Sequence, residues 1–177
     1  MKIAYQGVLG AFSHEACLAF APGYEPVATP DFAAVIGAVE SGEAELGMLP
    51  FENSGVGPVE EVHALLARSS LMVKARHPLP VRLHLLGLKG AGIESVRTAV
   101  SHPMALKQCA GTLERLGITG EAATNTAGAA QSLADPARAV LASEAAASVY
   151  GLTILRRDVH DRPDNTTIFV VVGRDAA

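Results

Sequence analysis

The sequence has little cysteine: its 177 residues include only Cys17 and Cys109. Both lie in apolar segments that resemble helices, where a free thiol packs as a small hydrophobic group. We therefore expect two buried thiols rather than a disulfide or a nucleophile. Two such cysteines suit a reducing compartment, and no basic-then-apolar segment precedes the first predicted strand. The sequence thus predicts a cytoplasmic protein.

Positive charge is also scarce. There are 14 Lys and Arg residues against 18 Asp and Glu, for a formal net charge of −4, and the basic residues are scattered. A nucleic-acid partner would require a basic stripe, so none is expected. Net charge does not attract an anionic ligand either, so binding one would need local hydrogen-bond donors. No uncharged run approaches the ~20 residues of a membrane span, so no membrane partner is expected.

Motifs for metal, nucleotide and hydrolytic chemistry are missing as well. The six His residues are dispersed and lack the Cys/His spacing of a zinc site. The segment Gly7-Val-Leu-Gly10 lacks the third glycine of a nucleotide-binding turn. No Gly-x-Ser-x-Gly elbow indicates a serine hydrolase. The sequence therefore predicts neither a metal nor a cofactor.

What is present is a regular alternation of short strands and helices in a chain that is 49% hydrophobic. Capping residues mark the helix ends: Asp31 begins one helix that stops at Gly42, and Ser143 begins another that stops at Gly151. A further helix is predicted from Ser101 to Leu116. This alternation predicts an α/β fold with a mostly parallel sheet.

The alternation pauses between Leu71 and Gly90, where Pro78 and Pro80 interrupt a strand-like segment. We interpret this pause as a hinge between two lobes, joined by two chain crossings. The apolar final strand, residues 166–173, would return to the first lobe. The predicted lobes are residues 1–75 plus 159–177 and residues 76–158, within one domain covering 1–177.

Four segments combine a small or polar turn with a helix that begins at Ser or Thr. They are Gly10-Ala-Phe-Ser13, Glu52-Asn-Ser-Gly55, Ser101-His-Pro103 and Thr124-Asn-Thr126. Helix N-termini carry free N–H groups and partial positive charge, and in α/β sheets they face the crevice at the carboxyl ends of strands. Several together would form an anion site. Because Ser and Thr also cap helices for structural reasons, both interpretations stay open.

The segment Pro50–Pro58 favours function more strongly. It follows an apolar strand ending near Leu49 and is predicted to be a glycine-rich loop, yet it places a carboxylate, an amide and a hydroxyl in succession at Glu52, Asn53 and Ser54. A turn needs the glycines but not these polar groups. Asp164–Thr167 is similar, although an ordinary turn would explain it equally well. His14 is expected to be a surface residue.

Several of these segments together match a known family. They are Gly7–Ala16 (GVLGAFSHEA), Pro50–Val59 (PFENSGVGPV), Ser101–Cys109 (SHPMALKQC), Thr126–Ala130 (TAGAA), Ala142–Leu152 (ASEAAASVYGL) and Asn165–Phe169 (NTTIF). In this order and spacing, the chain resembles the catalytic domain of prephenate dehydratases over essentially its whole length. The family's C-terminal ACT-type regulatory domain is not part of the match.

The resemblance implies a two-lobed fold like that of periplasmic binding proteins, with a cleft between the lobes. It implies conversion of prephenate to phenylpyruvate, carbon dioxide and water in L-phenylalanine biosynthesis, and a homodimer or homotetramer. The implied catalytic residues are Thr167, His102 and Glu52. The implied substrate-binding residues are Ser13, Asn53, Ser54, Ser101, Thr126 and Asn165. No metal or cofactor is implied.

Two positions depart from the family pattern. Ile168 occupies the place of an arginine that could bind a carboxylate through a bidentate fork, which isoleucine cannot do. Asn125 stands where an aspartate often precedes Thr-Ala. Alternatives therefore stay open: an arogenate dehydratase, a prephenate decarboxylase that does not aromatise its substrate, or a non-catalytic module that binds small anions. A purely structural subunit would not explain Glu52, Asn53 and Ser54.

Overall fold

A computed structural model describes residues 1–124 and 126–175, so Asn125 lies outside the described residues. The strands in these ranges are β1 (Lys2–Gln6), β2 (Glu25–Thr29), β3 (Leu46–Asn53), β4 (Gly57–Pro58), β5 (Met72–Pro80), β6 (His84–Gly87), β7 (Thr98–Ser101), β8 (Thr119–Ala122), β9 (Arg138–Ala142), β10 (Thr153–Arg156) and β11 (Thr166–Gly173). The α-helices are α1 (Phe12–Phe20), α2 (Phe32–Ser41), α3 (Glu60–Arg68), α4 (Pro103–Gln108), α5 (Ala110–Leu116), α6 (Thr126–Gln131) and α7 (Glu144–Tyr150). Ile93–Ser95 forms a short 3₁₀ helix.

The chain divides into two compact units, each with its own sheet, which confirms the predicted two-lobed α/β fold class. Unit 1 contains Met1–Val8, Phe12–Val81 and the described residues from Asp164 onward; unit 2 contains Leu9–Ala11 and Arg82–Pro163. Both boundaries lie a few residues later than the predicted 75/76 and 158/159. The short segment Leu9–Ala11 adds two crossings that the sequence did not predict. No helix in the described ranges is both long and apolar enough to cross a membrane.

The sheet of unit 1 has the strand order β2-β1-β3-β11-β5, with β4 paired to β3. The pairs β1–β2 and β1–β3 are parallel, whereas β11 is antiparallel to both β3 and β5. The expectation of a mostly parallel sheet is therefore wrong for this unit, which is mixed. An apolar pattern identifies a strand but leaves its direction open, because the side-chain period of two is the same either way.

The predicted break at Pro78 is also wrong, because Pro78 lies inside strand β5, which ends at Pro80. Within the part of the chain that the structure describes, this strand is at the edge of the sheet and pairs with β11 alone. Proline lacks the N–H that a ladder needs, and an edge strand tolerates it because one side of its backbone has no partner. The boundary between the two units, after Val81, nevertheless lies within the segment Leu71–Gly90 that was interpreted as a hinge.

The predicted loop Phe51–Pro58 is a hairpin for most of its length. Strand β3 passes through Pro50 and continues to Asn53, and β4 pairs back on it with Glu52 opposite Pro58 and Asn53 opposite Gly57. The sequence ended the strand at Pro50, but pairing with β11 extends it. This extension places Glu52 and Asn53 in regular strand positions with defined faces.

Unit 1 has an apolar core on both faces of its sheet, and β11 contributes to both through its alternating side chains. Phe169 belongs to the cluster that includes residues of α1, whereas Val170 belongs to the cluster that includes residues of α2 and α3. Full burial of a side chain of this kind contributes about 1.5–3 kcal/mol. By the same alternation, Thr167 lies on the α1 face and Ile168 on the opposite face.

Unit 2 has the strand order β10-β6-β9-β7-β8, with β6 antiparallel to its neighbours and β9, β7 and β8 parallel. The helix predicted from Ser101 to Leu116 is two helices that meet at Cys109. The carboxylate of Asp161 accepts hydrogen bonds from the backbone N–H groups of Gly111 and Thr112, at 2.8 and 2.9 Å. A distant residue therefore caps the second helix.

Candidate active site

A polar cluster forms in unit 1 where β3 and β11 pair. Asn53 lies opposite Thr167 in the register of these strands. The Nδ2 atom of Asn53 donates to the Oγ1 atom of Thr167 and to the Oδ1 atom of Asn165, both at 2.9 Å. The Oδ1 atom of Asn53 accepts from the backbone N–H of Gly55 at 2.9 Å. Three of the nine predicted site residues thus form one network, which we call the Asn53 cluster.

Thr167 is the buried member of this cluster, with 8% of its surface exposed. Its hydroxyl accepts the hydrogen bond from Asn53 and, among the hydrogen bonds of the described residues, is donor to none. Its own proton is therefore available to an acceptor outside the chain. A hydroxyl oriented in this way can stabilise an oxygen atom that gains negative charge.

Ser54 fastens the hairpin to the segment that precedes β11. Its hydroxyl donates to the carbonyl of Asp164 at 2.8 Å and accepts from the N–H of Thr166 at 2.9 Å. Its backbone N–H also donates to the carbonyl of Thr166. Because a serine has one hydroxyl proton, Ser54 cannot donate to a substrate in this arrangement. Ser54 thus anchors the hairpin, and its role in substrate binding stays a prediction.

Glu52 is not brought into the Asn53 cluster. It is exposed and neighbours Asn53 along β3, so the two side chains point to opposite faces of the sheet. In the strand register it lies opposite Ile168, which shares its face. The structure therefore separates the predicted catalytic carboxylate from Thr167.

Ser13 is buried near the start of α1, whose residues pack on the same sheet face as Thr167. It does not cap this helix as predicted, because the helix begins one residue earlier, at Phe12. The prediction of a surface His14 is wrong: it is 6% exposed, and its ring centroid lies 5.5 Å from that of Tyr5. Burial lowers the pKa of His14 below its ordinary value. His14 and buried Cys17 are three positions apart in α1 and therefore share a helix face, a spacing that indicates burial of His14.

A second polar pair lies in unit 2, between the end of β7 and the start of α6. The hydroxyl of Ser101 is fully buried and donates to the carbonyl of Leu141 at 2.9 Å. It also lies 3.0 Å from the Oγ1 atom of Thr126. Because the only proton of Ser101 goes to the carbonyl, Thr126 must be the donor in this second bond. Ser101 therefore orients Thr126 and has no proton for a ligand.

His102 follows Ser101 and is the N-cap of α4. Its Nδ1 atom accepts a hydrogen bond from the backbone N–H of Met104 at 3.1 Å, and Pro103 occupies the first turn. An acceptor nitrogen carries no proton, so only Nε2 of this exposed ring can donate in this state. The predicted catalytic histidine thus has a structural role that accounts for its position.

The two cysteines are free and buried, as predicted. Burial raises the pKa of Cys17 to about 12, and burial together with the charge of Asp161 does the same for Cys109. Such thiols stay protonated near neutral pH and are poor nucleophiles. Residues 1–124 and 126–175 contain no group of three or more His, Cys, Asp and Glu side chains that could hold a metal ion.

Comparison with known proteins identifies the family. The family profile described as prephenate dehydratase matches residues 3–177. The chain belongs to the prephenate dehydratase family. This confirms the resemblance based on the sequence segments, and the match contains only the catalytic domain. The Asn53 cluster accordingly lies in two of the segments that carried the resemblance.

Individual relatives are similar over nearly the whole chain. Arogenate dehydratase/prephenate dehydratase 2 of Arabidopsis thaliana is 41% identical over 99% of this chain and 47% of its own length. The bifunctional N-acyl-homoserine lactone acylase/prephenate dehydratase of Komagataeibacter europaeus is 39% identical over 99% of this chain and 63% of its own length. The chain thus spans between 42% and 63% of the length of curated relatives that it matches.

A solved structure has a closely similar fold. The protein GqqA, described as a novel type of quorum quenching acylase, superposes with a TM-score of 0.92 at 38% identity. The match covers 100% of this chain and 65% of GqqA. Proteins named for two different reactions are therefore each about two-fifths identical to this chain.

Proposed function

We propose that this chain catalyses the decarboxylating dehydration of prephenate to phenylpyruvate. Membership of the prephenate dehydratase family supports the reaction class. The observation that carries the proposal is the Asn53–Thr167 hydrogen bond, which leaves a buried hydroxyl proton available to a substrate oxygen. A reaction that expels hydroxide needs such a donor at the departing oxygen.

The reaction breaks two bonds of prephenate in one overall change. The electron pair of the bond to the ring carboxylate enters the ring as carbon dioxide leaves, and the pair of the C–O bond departs with hydroxide. Hydroxide takes up one proton and leaves as water, so the dianionic substrate yields a monoanionic product. Formation of the aromatic ring drives the change, which leaves positioning and electrostatic stabilisation to the protein.

Thr167 would act by hydrogen bonding rather than as the source of the proton. An alcohol is too weak an acid to supply protons efficiently near neutral pH, whereas its hydrogen bond strengthens as charge builds on the leaving oxygen. Water would then be the candidate proton source.

The test is a direct assay of the purified chain with prephenate, in which the appearance of phenylpyruvate is followed. A protein-free sample corrects for spontaneous conversion, and the Thr167→Val variant serves as the inactive match of similar shape. We expect turnover by the chain that is largely lost in the variant. Equal rates in both proteins, or none above the protein-free sample, would contradict the proposal.

Arogenate is the nearest alternative substrate, because relatives of this chain are named for dehydrating it. Arogenate has an ammonium group where prephenate has a keto group, so the same assay with arogenate would yield phenylalanine. The ratio of kcat/KM for the two substrates measures the preference. Formation of carbon dioxide without an aromatic product would instead indicate the decarboxylase, and binding without turnover would indicate an anion-binding module.

A second candidate activity is hydrolysis of N-acyl-homoserine lactones, since one relative is named as an N-acyl-homoserine lactone acylase and one similar structure as a quorum quenching acylase. The two cysteines do not support a thiolate mechanism, because burial raises the pKa of each to about 12. The purified chain should be incubated with an N-acyl-homoserine lactone while release of the fatty acid is measured. We expect prephenate turnover to exceed this hydrolysis.

A further inference from the structure

The amide orientation of Asn53 is fixed by a group that can only donate. The backbone N–H of Gly55 points at one end of this amide over 2.9 Å, so that end must be the oxygen. A flipped amide would place an NH₂ group against the N–H and leave both without an acceptor. The Nδ2 atom must therefore face Asn165 and Thr167.

Both protons of this Nδ2 are used within unit 1. One goes to the Oδ1 atom of Asn165 and the other to the Oγ1 atom of Thr167, each at 2.9 Å. Asn53 therefore has no donor left for a ligand, although it was predicted to bind substrate. Asn165 and Thr167, by contrast, each accept a hydrogen bond from Asn53 through an oxygen atom. Their own protons are not used in these two bonds.

A hydroxyl or amide group whose oxygen accepts from Asn53 can donate its own proton to a partner on the side away from Asn53. The hydroxyl of Thr167 already accepts from Asn53, so its proton can point to a ligand. The amide of Asn165 has its oxygen toward Asn53, so its Nδ2 group supplies further protons away from it. The Ser54 hydroxyl holds the backbone on both sides of Asn165, through the carbonyl of Asp164 and the N–H of Thr166.

We propose that Asn53 is a positioning residue, which turns Thr167 and Asn165 into paired donors aimed at oxygen atoms of the substrate. This inference rests on the proposed dehydratase function and deepens it. Asn53 acts through Thr167 and Asn165 and does not touch the substrate. Donors oriented before the substrate binds need no reorganisation as negative charge develops, so the effect should appear in kcat.

The variant Asn53→Asp tests the direction of the hydrogen bonds with little change of shape. An aspartate oxygen still accepts from Gly55, but the other oxygen can only accept as well. Thr167 must then donate to Asp at position 53, and its proton is withdrawn from the substrate. We expect kcat to fall by about 10²–10³, the usual effect of losing one such donor, with little change in KM.

The double variant with Thr167→Val separates positioning from direct contact. If Asn53 acts through Thr167, adding Asn53→Asp to Thr167→Val should lower kcat much less than it does in the parent chain. Losses that multiply in the Thr167→Val background and also in an Asn165→Asp background would show that Asn53 contacts the substrate by itself and would overturn the proposal. So would full activity of the single Asn53→Asp variant.

Two further measurements keep the outcome independent of folding and of the overall reaction. Thermal unfolding of each variant shows whether a loss of rate is a loss of structure. The variant Asn165→Asp is a second isosteric change: it keeps the hydrogen bond from Asn53 but removes the Nδ2 group that would donate to the substrate. In the parent chain, NMR exchange should show both side-chain amide protons of Asn53 protected, with one protected proton lost in Thr167→Val. Rapid exchange of both would overturn the proposed orientation, whereas absence of turnover in the parent chain would overturn only the proposed function.

Discussion

The side-chain amide of Asn53 donates a hydrogen bond to the Oγ1 atom of Thr167 over 2.9 Å, although the two residues are 114 positions apart in the sequence. Antiparallel pairing of β3 with β11 places them directly opposite each other. The hydroxyl of Thr167 is thereby an acceptor toward the protein and a donor toward any ligand. The hydroxyl and the side-chain shape of Thr167 can be tested separately, because valine has the same shape without the hydroxyl.

We predict that Thr167→Val lowers kcat by about 10²–10³ while KM changes little, since the lost donor acts mainly when the leaving oxygen becomes negative. Thr167→Ala should behave similarly. Thr167→Ser keeps the hydroxyl and should retain much of the activity, with some loss because its rotamer is freer. Steady-state kinetics with prephenate measures all three variants.

Thr166 provides the matched control for this series. It precedes Thr167 in β11, and strand alternation places its side chain on the other face of the sheet. Its interaction with Ser54 uses backbone atoms, which valine preserves. Thr166→Val should therefore keep nearly full activity. Full activity of Thr167→Val would instead remove the catalytic role and direct attention to His102.

Ile168→Arg is predicted to have little effect on kcat or KM, even though the family resemblance implies an arginine at this position. Ile168 lies on the sheet face opposite to Thr167, and the register pairs it with Glu52 on β3 and Pro78 on β5. A guanidinium placed there would bind the exposed Glu52 carboxylate more readily than a substrate beside Thr167. We expect KM to change by less than tenfold, which is about 1.4 kcal/mol.

The outcome of this substitution shows whether the absence of an arginine at position 168 limits substrate binding. A fall of KM by tenfold or more at constant kcat would show that an arginine at position 168 reaches the substrate and that its absence limits binding. The double variant Ile168→Arg with Glu52→Gln removes the competing carboxylate. If KM falls only in the double variant, Glu52 is what diverts the guanidinium.

The sequence predicts elements well where local signals agree and fails where distant partners decide. The strand Thr166–Gly173 was predicted with both ends correct, because a polar turn precedes a run of β-branched residues and phenylalanine. The extension of β3 beyond Pro50 and the continuity of β5 through Pro78 depend on pairing with β11, which no local pattern contains. Tertiary pairing overrode the usual meaning of proline at both places.

The candidate site shows the same limit. Motif segments identified Asn53, Asn165 and Thr167 individually, but the direction of each hydrogen bond depends on the N–H of Gly55 and on strand register. Likewise, the break at Cys109 depends on Asp161, which lies 49 positions after Thr112. A sequence gives the donors and acceptors, whereas the fold decides which of them satisfy each other.

Stability should decline on the acid side of neutrality because of His84. This residue is 3% exposed, and its Nδ1 atom accepts from the N–H of Asp158 at 3.0 Å. Burial lowers the pKa of His84; the charges of Asp158 and Glu144 oppose this, and those of Arg157 and His160 add to it. The unfolded chain therefore binds a proton more readily than the folded one, so stability is complete above about pH 6.5 and is lost as the pH falls through the folded pKa.

The variant His84→Gln isolates this contribution. Glutamine keeps an acceptor oxygen for the N–H of Asp158 but does not titrate. Melting temperatures measured at several pH values between neutrality and about pH 5 should fall less steeply for the variant than for the parent chain. Parallel curves would show that His84 does not cause the acid sensitivity.

Asp161 should stabilise the N-terminus of α5. It accepts from the N–H groups of Gly111 and Thr112 and from the hydroxyl of Thr112, at 2.8 to 2.9 Å. Burial raises the pKa of Asp161, but these hydrogen bonds and the nearby charge of Arg115 outweigh it and lower the pKa overall. Its contribution is therefore present above about pH 3.9 and is lost as the pH falls through the folded pKa.

We predict that Asp161→Ala lowers the free energy of unfolding by about 1–3 kcal/mol near neutral pH, because it leaves helix N–H groups without an acceptor. Urea unfolding of the purified chain measures this loss. Asp135→Ala is the control, since Asp135 caps only its own turn through the N–H of Ala137. Equal losses of unfolding free energy in both variants would mean that the long-range cap by Asp161 stabilises the chain no more than the local turn at Asp135 does.

Gly10 should tolerate no side chain, because it combines a left-handed backbone with close contact to α7. Its φ angle is +83°, and an added Cβ would lie 2.8 Å from the Cα atom of Ala146. The carbonyl of Gly10 accepts from the Ser143 hydroxyl at 2.7 Å, and the carbonyl of Leu9 accepts from the Tyr150 hydroxyl at 2.8 Å. The segment Leu9–Ala11 therefore cannot move away from the helix without losing both bonds.

Gly10→Ala is predicted to lower the free energy of unfolding by about 2–4 kcal/mol, from the left-handed backbone and from overpacking against α7. Gly23→Ala is the matched control, since an added Cβ would meet no atom within 4 Å there. Its effect should stay within about 0.5 kcal/mol. Chemical unfolding measures both variants, and Ser143→Ala shows how much of the loss comes from the hydrogen bond. A Gly10→Ala chain as stable as the control would mean that Leu9–Ala11 is not held against α7.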